Sequence, residues 1–171
     1  MDRKPLKPLD QAGLDWLALR YVERFATSRE KLRRYLERKL RERDWSGAAA
    51  PGVDAIVERL TALGYVDDRA YAEAKGRSMA RRGLGSRRIE QALHADGIDE
   101  ALRTDTRGLH DDWSAAVALA RRRRLGPFGA PLQDSKAEQR AIGIFMRAGH
   151  SFSTAKAVLA AAAPDDLTPP D

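Results

Sequence analysis

The stretch LGYVDDRAYAEAKGRSMARRGLGSRRIEQALHADGID, Leu63–Asp99, decides the fold because it contains a helix stop, two helices and their joint. Asp67–Asp68 stand where a helix start favours hydrogen-bond acceptors and negative charge. Gly83–Gly85 predict a sharp reversal, since glycine reaches backbone angles closed to other residues, and Ser86 is expected to cap the second helix. The apolar positions of the first helix that recur at helical spacing are Ala70, Tyr71, Ala74, Ser78 and Met79. We therefore predict a helical hairpin.

The composition of the whole chain favours helices. Its 171 residues suffice for one ordinary domain or for a row of small helical units. Ala, Leu, Arg and Glu dominate, all of them good helix formers, and β-branched residues are scarce. Aromatic residues make up only 6% of the chain, which is lean for a single deep core. We expect an all-α protein.

The surroundings of the protein follow from what the sequence lacks. There are no cysteines, so disulfides and thiolate metal sites are excluded and a reducing compartment is indicated. No apolar run approaches the roughly 20 residues of a membrane helix, and the N-terminus lacks the apolar centre of a signal peptide. We expect a cytoplasmic protein that does not bind a membrane.

The charge balance points to an anionic partner. The net charge is +6 and the sequence pI is about 9.9. The stretch PDDLTPPD, residues 164–171, carries three aspartates and no cation, so the rest of the chain is more basic still. Such an excess indicates nucleic acid, an acidic protein, or both. The alternative is that the charges only keep helix surfaces solvated.

Nine predicted helices fall into three groups of three, each with a basic middle helix. The middle helices SREKLRRYLERKL, GSRRIEQALHADG and SKAEQRAIGIFMRAG can be aligned, which indicates a stack of three-helix modules. Thr27 to Glu30 and Ser135 to Glu138 fit capping boxes at two helix starts. The predicted organisation is a flexible basic arm (1–12), three repeats (13–64, 65–107 and 108–162) and a disordered acidic, Pro-rich tail (163–171).

No pattern for catalysis or metal binding emerges. His94, His110 and His150 are scattered without a partner at ligand spacing, which is typical of surface or helix-end residues. Asp67–Asp68 could form a metal or acid/base pair, but adjacent carboxylates at a helix start are usually caps. No nucleophile elbow or phosphate loop is present. We expect a protein that is not an enzyme and that needs no cofactor or metal.

Arginines are the candidate binding residues, because guanidinium groups on a helix surface suit phosphate. Four cations surround the joint of the central hairpin, four follow one another at a helix end, and two lie in the basic second helix. As a structural alternative, cations at a helix end also complement the helix dipole. The predicted contact residues are Arg81, Arg82, Arg87, Arg88, Arg121, Arg122, Arg123, Arg124, Arg33 and Arg34.

The central stretch resembles a known family. Leu63-Gly64-Tyr65-Val66-Asp67-Asp68, with Ala70-Tyr71-Ala72 and the later Gly85, Ile89, Leu93 and Gly97-Ile98, is similar to the central signature of the RecX family. RRRRLGPF, residues 121–128, and RAGHSF, residues 147–152, resemble that family's third repeat. The likeness covers roughly residues 13–162. It departs in the loop Ala48 to Pro51, in the Gly126 to Pro131 insertion and at His150.

The resemblance implies both a fold and a function. RecX proteins are bacterial regulators of the RecA recombinase, built as a curved, elongated stack of three three-helix repeats with a basic concave face. The family binds the RecA filament on single-stranded DNA and suppresses strand exchange, ATP hydrolysis and co-protease activity; some members also bind DNA directly. The expectation is a monomeric RecA regulator with effects on DNA repair, homologous recombination and the SOS response.

Two further hypotheses remain open on the residues alone. A stand-alone nucleic-acid-binding protein is possible because three-helix units can act as helix-turn-helix modules. It would bind duplex DNA with sequence preference and without RecA. A protein scaffold with passive surface charge would instead bind its partner tightly and without sensitivity to salt.

Overall fold

Helices supply the regular structure of residues 7–169, the part of the chain that this computed structural model describes. Within that part there are two 3₁₀ turns, Gly126–Phe128 and Pro164–Asp166, and no strand. The α-helices of the described part are α1 Gln11–Arg24, α2 Arg29–Glu42, α3 Val53–Ala62, α4 Asp68–Arg81, α5 Ser86–Ala95, α6 Glu100–Arg107, α7 Asp112–Arg123, α8 Ser135–Ala148 and α9 Phe152–Ala160. The prediction of an all-α protein with three groups of three helices is confirmed.

The chain packs as two compact units. The first contains the residues up to Tyr71 together with Asp96–Ile98. The second contains Ala72–Ala95 and the residues from Asp99 onward. The ranges 13–64, 65–107 and 108–162 for the repeats stay a prediction.

The core of the first unit is aliphatic. Its central side chains come from the facing sides of α1, α2 and α3, and the rings of Tyr21 and Tyr35 stack beside them with centroids 4.1 Å apart. Each such aliphatic side chain stabilises the fold by about 1.5–3 kcal/mol on burial. The largest fully buried side chains of this core are Leu14, Leu32, Leu36, Ile56, Val57 and Val66.

Part of the predicted N-terminal arm belongs to this core. Leu9 is buried, its N–H donates to the carbonyl of Asp44, and its carbonyl accepts the N–H of Ser46. Asp10 caps α1 by accepting the N–H of Gly13 at 2.8 Å. The prediction of a flexible arm is therefore wrong for these two residues, because Leu9 gains burial that a sequence pattern does not show. Residues 1–6 of the predicted arm lie outside the described part.

Three helix starts differ from the predicted caps. Ser28, not Thr27, caps α2: its hydroxyl accepts the N–H of Lys31 and donates to the carbonyl of Asp96 at 2.6 Å. Asp134 rather than Ser135 caps α8. Ser86 is itself the first residue of α5, and its N–H and hydroxyl both donate to a carboxylate from α7. Ser28 and Asp134 are each one position from the predicted capping residue, whereas the acceptor at the start of α5 is the carboxylate of Asp112.

Asp67 and Asp68 act as caps, but on different helices. The Asp67 carboxylate accepts the N–H of Ala70 in the first turn of α4. The Asp68 carboxylate accepts the N–H of Arg29, the first residue of α2, at 2.8 Å. The cap interpretation is therefore right for both residues, although Asp68 serves a helix 39 positions away.

Tyr71 anchors a polar network in the first unit. Its hydroxyl donates to the Asp96 carboxylate at 2.5 Å and accepts a hydrogen bond from the Lys31 ammonium at 2.9 Å. Burial, followed by the hydrogen bond to Asp96, raises the pKa of Tyr71 well above its ordinary value. The half-buried Tyr71 side chain therefore links α2, α4 and the segment that contains Asp96.

The inward face of α4 differs from the predicted stripe. Ala72 and Gly76 are buried, whereas Ala70, Ala74 and Ser78 are exposed. A Cβ on Gly76 would lie 3.3 Å from the His110 ring, so the helix approaches its neighbours through its smallest residues. Hydrophobic periodicity missed this face because alanine and glycine carry little hydrophobic signal.

The second unit has its own core around Phe145. Ala116, Leu119 and Ala120 of α7 pack against Phe145 of α8, with Ala155 and Val158 of α9 completing the cluster. Alanines at these positions let the helices approach one another closely. This cluster fixes the orientation of α7, the helix that carries the arginine run.

Two glycine turns meet backbone to backbone in the second unit. The N–H of Gly85 donates to the carbonyl of Ala148 at 2.9 Å, and the N–H of Arg87 donates to the carbonyl of Gly149 at 3.3 Å. A Cβ on Gly85 would lie 2.6 Å from the carbonyl carbon of Gly149. Gly83 has the positive φ, 82°, expected for the reversal. Gly85 does not have a positive φ; glycine is needed there because a side chain would collide with the backbone of Gly149.

The predicted tail begins as ordered structure. Pro164–Asp166 form a 3₁₀ turn, and the half-buried Leu167 packs against the core of the second unit. The prediction of disorder is therefore wrong for this segment, since Leu167 supplies an apolar anchor. Residues 170 and 171 lie outside the described part.

Candidate nucleic-acid interface

The C-terminal turn of α7 presents a run of four exposed arginines, Arg121–Arg124. Arg124 ends the helix in the left-handed conformation, with φ 54° and ψ 54°. The next N–H, from Leu125, donates to the carbonyl of Ala120 at 2.9 Å and closes the helix end. Cations here are also favoured by the helix dipole. One firmly capped helix end thus projects four positive charges.

Arg121 and Arg122 share a groove with Arg81, from the last turn of α4. This open depression of about 670 Å³, the arginine groove, has Trp113, Val117 and Phe128 among its lining residues. The Arg121 guanidinium carbon lies 5.2 Å from the centroid of the Phe128 ring, a cation–π distance. Within residues 7–169, none of the three arginines has a carboxylate oxygen within 4 Å. Their charge is available to an anion.

Two further depressions adjoin the arginine groove. One, of about 570 Å³, shares Arg81 and adds Arg77, whose guanidinium lies 3.5 Å from the Glu73 carboxylate. The other, of about 340 Å³, shares Arg122 and adds Arg123 and Arg147. Together the three depressions, here called the arginine face, are lined by one aspartate, Asp111, and by six arginines: Arg77, Arg81, Arg121, Arg122, Arg123 and Arg147.

Sequence reasoning missed two of these six. Arg77 lies four residues before Arg81 on α4, so helical spacing could have placed it on the same face. Arg147 reaches the face through the packing of α8 against α7, for which no local pattern gives a signal.

The other arginines of the predicted hairpin corner are not among the residues that line the arginine groove. Arg82, Arg87 and Arg88 are exposed. Arg87 lines a separate depression of about 390 Å³ together with Arg103. Arg88 donates to the side chain of Gln91 at 3.3 Å. The structure thus brings Arg81 together with the arginines of α7 and places Arg87 in another depression.

The two predicted contact residues of α2 are engaged in ion pairs. Arg33 donates to the carboxylates of Asp54 at 2.9 Å and Glu30 at 2.8 Å, and Arg34 donates to Glu30 at 2.7 Å. These hydrogen bonds raise the pKa of Arg33; burial would raise that of Glu30, but its two arginine partners lower it. Phosphate would have to compete with these carboxylates.

His150 directly follows Gly149, the C-cap of α8, and is fully buried, so the expectation of a helix-end position is right for this residue and that of a surface position is wrong. Its Nε2–H donates to the carbonyl of Gly83 at 3.1 Å, and its Nδ1 lies 3.7 Å from an Asp112 carboxylate oxygen. The same oxygen accepts the N–H and hydroxyl of Ser86 at 2.7 and 3.0 Å. This chain of contacts braces the glycine turns behind the arginine face.

The environment of Asp112 predicts that the stability of the protein depends on pH. Burial would raise its pKa, but the nearby His150 and the hydrogen bonds from Ser86 bring it below the ordinary 3.8. A carboxyl group with a lowered folded-state pKa stabilises above its unfolded-state pKa and loses that contribution as the pH falls. We expect Asp112→Asn to lower the free energy of unfolding by about 1–2 kcal/mol near neutral pH and by less below about pH 4. Urea unfolding of the wild type and the variant across this pH range checks the prediction. A difference in unfolding free energy that does not change with pH would contradict it.

The left-handed conformation of Arg124 predicts that one substitution there changes stability and binding in opposite directions. Non-glycine residues in the left-handed conformation cost about 1 kcal/mol, so Arg124→Gly should raise the unfolding free energy by up to that amount. If the side chain contacts phosphate, the variant should also bind single-stranded DNA about fivefold more weakly, equivalent to about 1 kcal/mol. Thermal unfolding and fluorescence anisotropy measure the two effects. Arg124→Lys is the matched control, since it keeps both charge and strain, and equal binding by all three proteins would exclude the contact.

The described residues contain no group of three or more His, Asp or Glu side chains placed to hold a metal ion. Over that same part of the chain, none of the helices has the length and apolar character needed to cross a membrane.

Fold and surface together define a class: an all-α protein of consecutive three-helix groups with an arginine-lined face. A family model described as "RecX, second three-helix domain" matches residues 67–106. The chain is 32% identical to the regulatory protein RecX of Myxococcus xanthus over 92% of this chain and 91% of that protein. It is 34% identical to the RecX of Halorhodospira halophila, covering 84% and 86%.

Solved structures show the same fold. The crystal structure of RecX from Lactobacillus salivarius matches with a TM-score of 0.65 over 86% of this chain and 93% of that one, at 20% identity. A second RecX crystal structure matches with a TM-score of 0.66 at 21% identity, over 86% of this chain and 70% of that one. The chain belongs to the RecX family of regulatory proteins, and the resemblance of its central stretch is confirmed.

Proposed function

We propose that this protein regulates the RecA recombinase, mainly as an inhibitor, by binding the filament that RecA forms on single-stranded DNA. Membership of a family of regulatory proteins supports a role in control rather than in catalysis. On this proposal the protein is a cytoplasmic monomer, acts without a cofactor, and affects DNA repair, homologous recombination and the SOS response.

The observation that carries the proposal is the arginine groove. Arg81, Arg121 and Arg122 line one open depression and have no carboxylate partner in residues 7–169. An unpaired guanidinium on a helix surface is a strong donor to phosphate oxygens, because its planar fork makes charge-assisted hydrogen bonds. The aromatic rings of Trp113 and Phe128 line the same groove. Such a face suits a single strand, whose phosphates and unstacked bases are both exposed.

Binding to phosphate implies a strong dependence on salt. Each neutralised phosphate of a single strand lowers the slope of log K against log salt by about 0.7. Three contacts in the arginine groove would give a slope of about −2, and six along the whole face about −4. A protein held across the strand in this way opposes the rearrangements of the filament that strand exchange requires.

A helix-turn-helix protein that binds duplex DNA alone is the second candidate. Arg87 and Arg88 are exposed in the first turn of α5, which follows α4 through a short glycine turn. Recognition helices contact base edges through residues of their N-terminal turn, so these arginines are suitably placed for that function.

A gel-shift comparison separates the two candidates. Equal amounts of protein are mixed with duplex DNA, single-stranded DNA and RecA-coated single strand, at low and high salt. The proposed function predicts tightest binding to the RecA-coated strand, weakened by salt. Sequence-dependent binding to bare duplex, with no gain from RecA, would favour the second candidate and reject the first.

A further inference from the structure

The acidic segment after α9 lies on the arginine groove. Pro164 and Leu167 line the same depression as Arg81, Arg121 and Arg122, all within the second unit. Leu167 is half-buried and packs against the apolar core that α7, α8 and α9 form. The segment therefore forms part of the groove wall and is anchored there by one apolar side chain.

Asp165 and Asp166, the two aspartates between Pro164 and Leu167, are exposed to solvent. Asp166 accepts the N–H of Ala163 at 2.9 Å, which holds the 3₁₀ turn. Within the described residues, Asp165 and Asp166 have no cationic group within 4 Å. They do not neutralise an arginine by direct pairing; instead they place two carboxylates on the segment that borders the groove.

A carboxylate pair at that place opposes the binding of any anion. Asp165 and Asp166 lie in sequence between Pro164 and Leu167, which line the groove, so their field lowers the positive potential that phosphate meets there. Salt screens such a field fully only beyond the Debye length of about 8–10 Å. The apolar anchor maintains this position without a salt bridge. Moving the segment away would take the two carboxylates from the groove wall and expose the groove surface beside Leu167.

We propose that Pro164–Leu167 is a built-in shield of the arginine groove, an autoinhibitory strap that opposes anionic ligands. The proposal rests on the proposed function only for the identity of the ligand, single-stranded DNA. The strap lowers the affinity for phosphate until a partner or a higher ligand concentration displaces it.

The test uses two variants of the strap and one control. Asp165→Asn with Asp166→Asn removes the charge but keeps an acceptor for the turn. Leu167→Ser removes the anchor. Glu23→Gln with Glu58→Gln is the matched control, since it changes the net charge equally at two exposed acids of the first unit. Helical circular dichroism confirms that each variant is folded.

The first readout is independent of DNA. In a background with Trp16→Phe and Trp45→Phe, the fluorescence of Trp113 reports on the groove that it lines. Iodide, an anion, and acrylamide, which is neutral, are compared as quenchers. We expect the asparagine variant to raise iodide quenching at least twofold relative to acrylamide, with no change in the control. An unchanged ratio would overturn the strap.

The second readout is the affinity for a short labelled oligothymidylate at low and moderate salt. We expect both strap variants to bind about three- to tenfold more tightly than the control. Adding Arg121→Glu and Arg122→Glu should abolish that gain. If wild type binds but the strap variants match the control in both readouts, the strap is wrong and the proposed function stands. If iodide quenching changes as expected but neither the wild type nor any variant binds the oligothymidylate, the strap is supported and the proposed contact with DNA is rejected.

Discussion

Arg81→Glu, Arg121→Glu and Arg122→Glu together are expected to abolish the inhibition of RecA-catalysed ATP hydrolysis. These guanidinium groups line one groove and have no carboxylate within 4 Å in the described part of the chain, so their loss removes no internal ion pair. On the proposed function it removes contacts with the filament. At about 1 kcal/mol for each lost contact, the affinity for a RecA-coated strand should fall roughly a hundredfold or more. The rate of ATP hydrolysis by RecA at increasing concentrations of the variant measures the loss of inhibition directly.

Two further charge reversals make the result specific. Arg20→Glu, Arg24→Glu and Arg41→Glu change the net charge equally at exposed positions of the first unit and should retain inhibition. Arg82→Glu, Arg87→Glu and Arg88→Glu test the rest of the hairpin corner. Full inhibition by the groove variant, or equal loss in the α1 and α2 control, would reject the arginine groove as the contact surface.

The glycine joint of the second unit gives the largest expected effect on stability. In Gly85→Ala the new Cβ would lie 2.6 Å from the Gly149 carbonyl carbon and 2.7 Å from the His150 nitrogen. Both atoms belong to backbone and cannot rotate away, so the two turns must separate. Overpacking of this kind costs about 1–3 kcal/mol, and the hydrogen bond from Gly85 to Ala148 would be weakened as well. We expect a loss of about 3 kcal/mol or more.

Gly108→Ala is the matched control for this prediction. Gly108 has an ordinary φ of −78°, and a Cβ there would meet nothing within 4 Å. The substitution should be neutral or stabilise by about 0.4–1 kcal/mol through the unfolded state. Urea unfolding of the two variants checks the contrast. Equal stability would show that the second unit tolerates separation of its glycine turns.

The sequence predicted the features that depend on neighbouring residues. The helices, the Asp67 cap and the reversal at Gly83 follow from spacing and backbone chemistry, which act within a few positions of the chain. The resemblance to the RecX family also rests on short motifs of this kind, above all on Leu63 to Asp68. Cap positions depend partly on distant partners: Ser28 rather than Thr27 caps α2, and its hydroxyl has the carbonyl of Asp96 as a second partner.

Features that depend on distant neighbours were not predictable. His150 is buried because Gly83, 67 positions away, supplies an acceptor for its ring. Gly85 is required because another turn packs against it. The predicted contact residues show the same limit. Arg33 and Arg81 look alike in sequence, yet Arg33 is bound by two carboxylates and Arg81 by none in the described part of the chain. Counting charges does not reveal which of them are paired.

The most direct test of the account is a titration of this protein into RecA filaments on single-stranded DNA while ATP turnover is followed. The account predicts a saturable fall in turnover that moderate salt relieves and that the Arg81, Arg121 and Arg122 reversals remove. Unchanged turnover at concentrations where the protein is shown to be bound to the filament would contradict it.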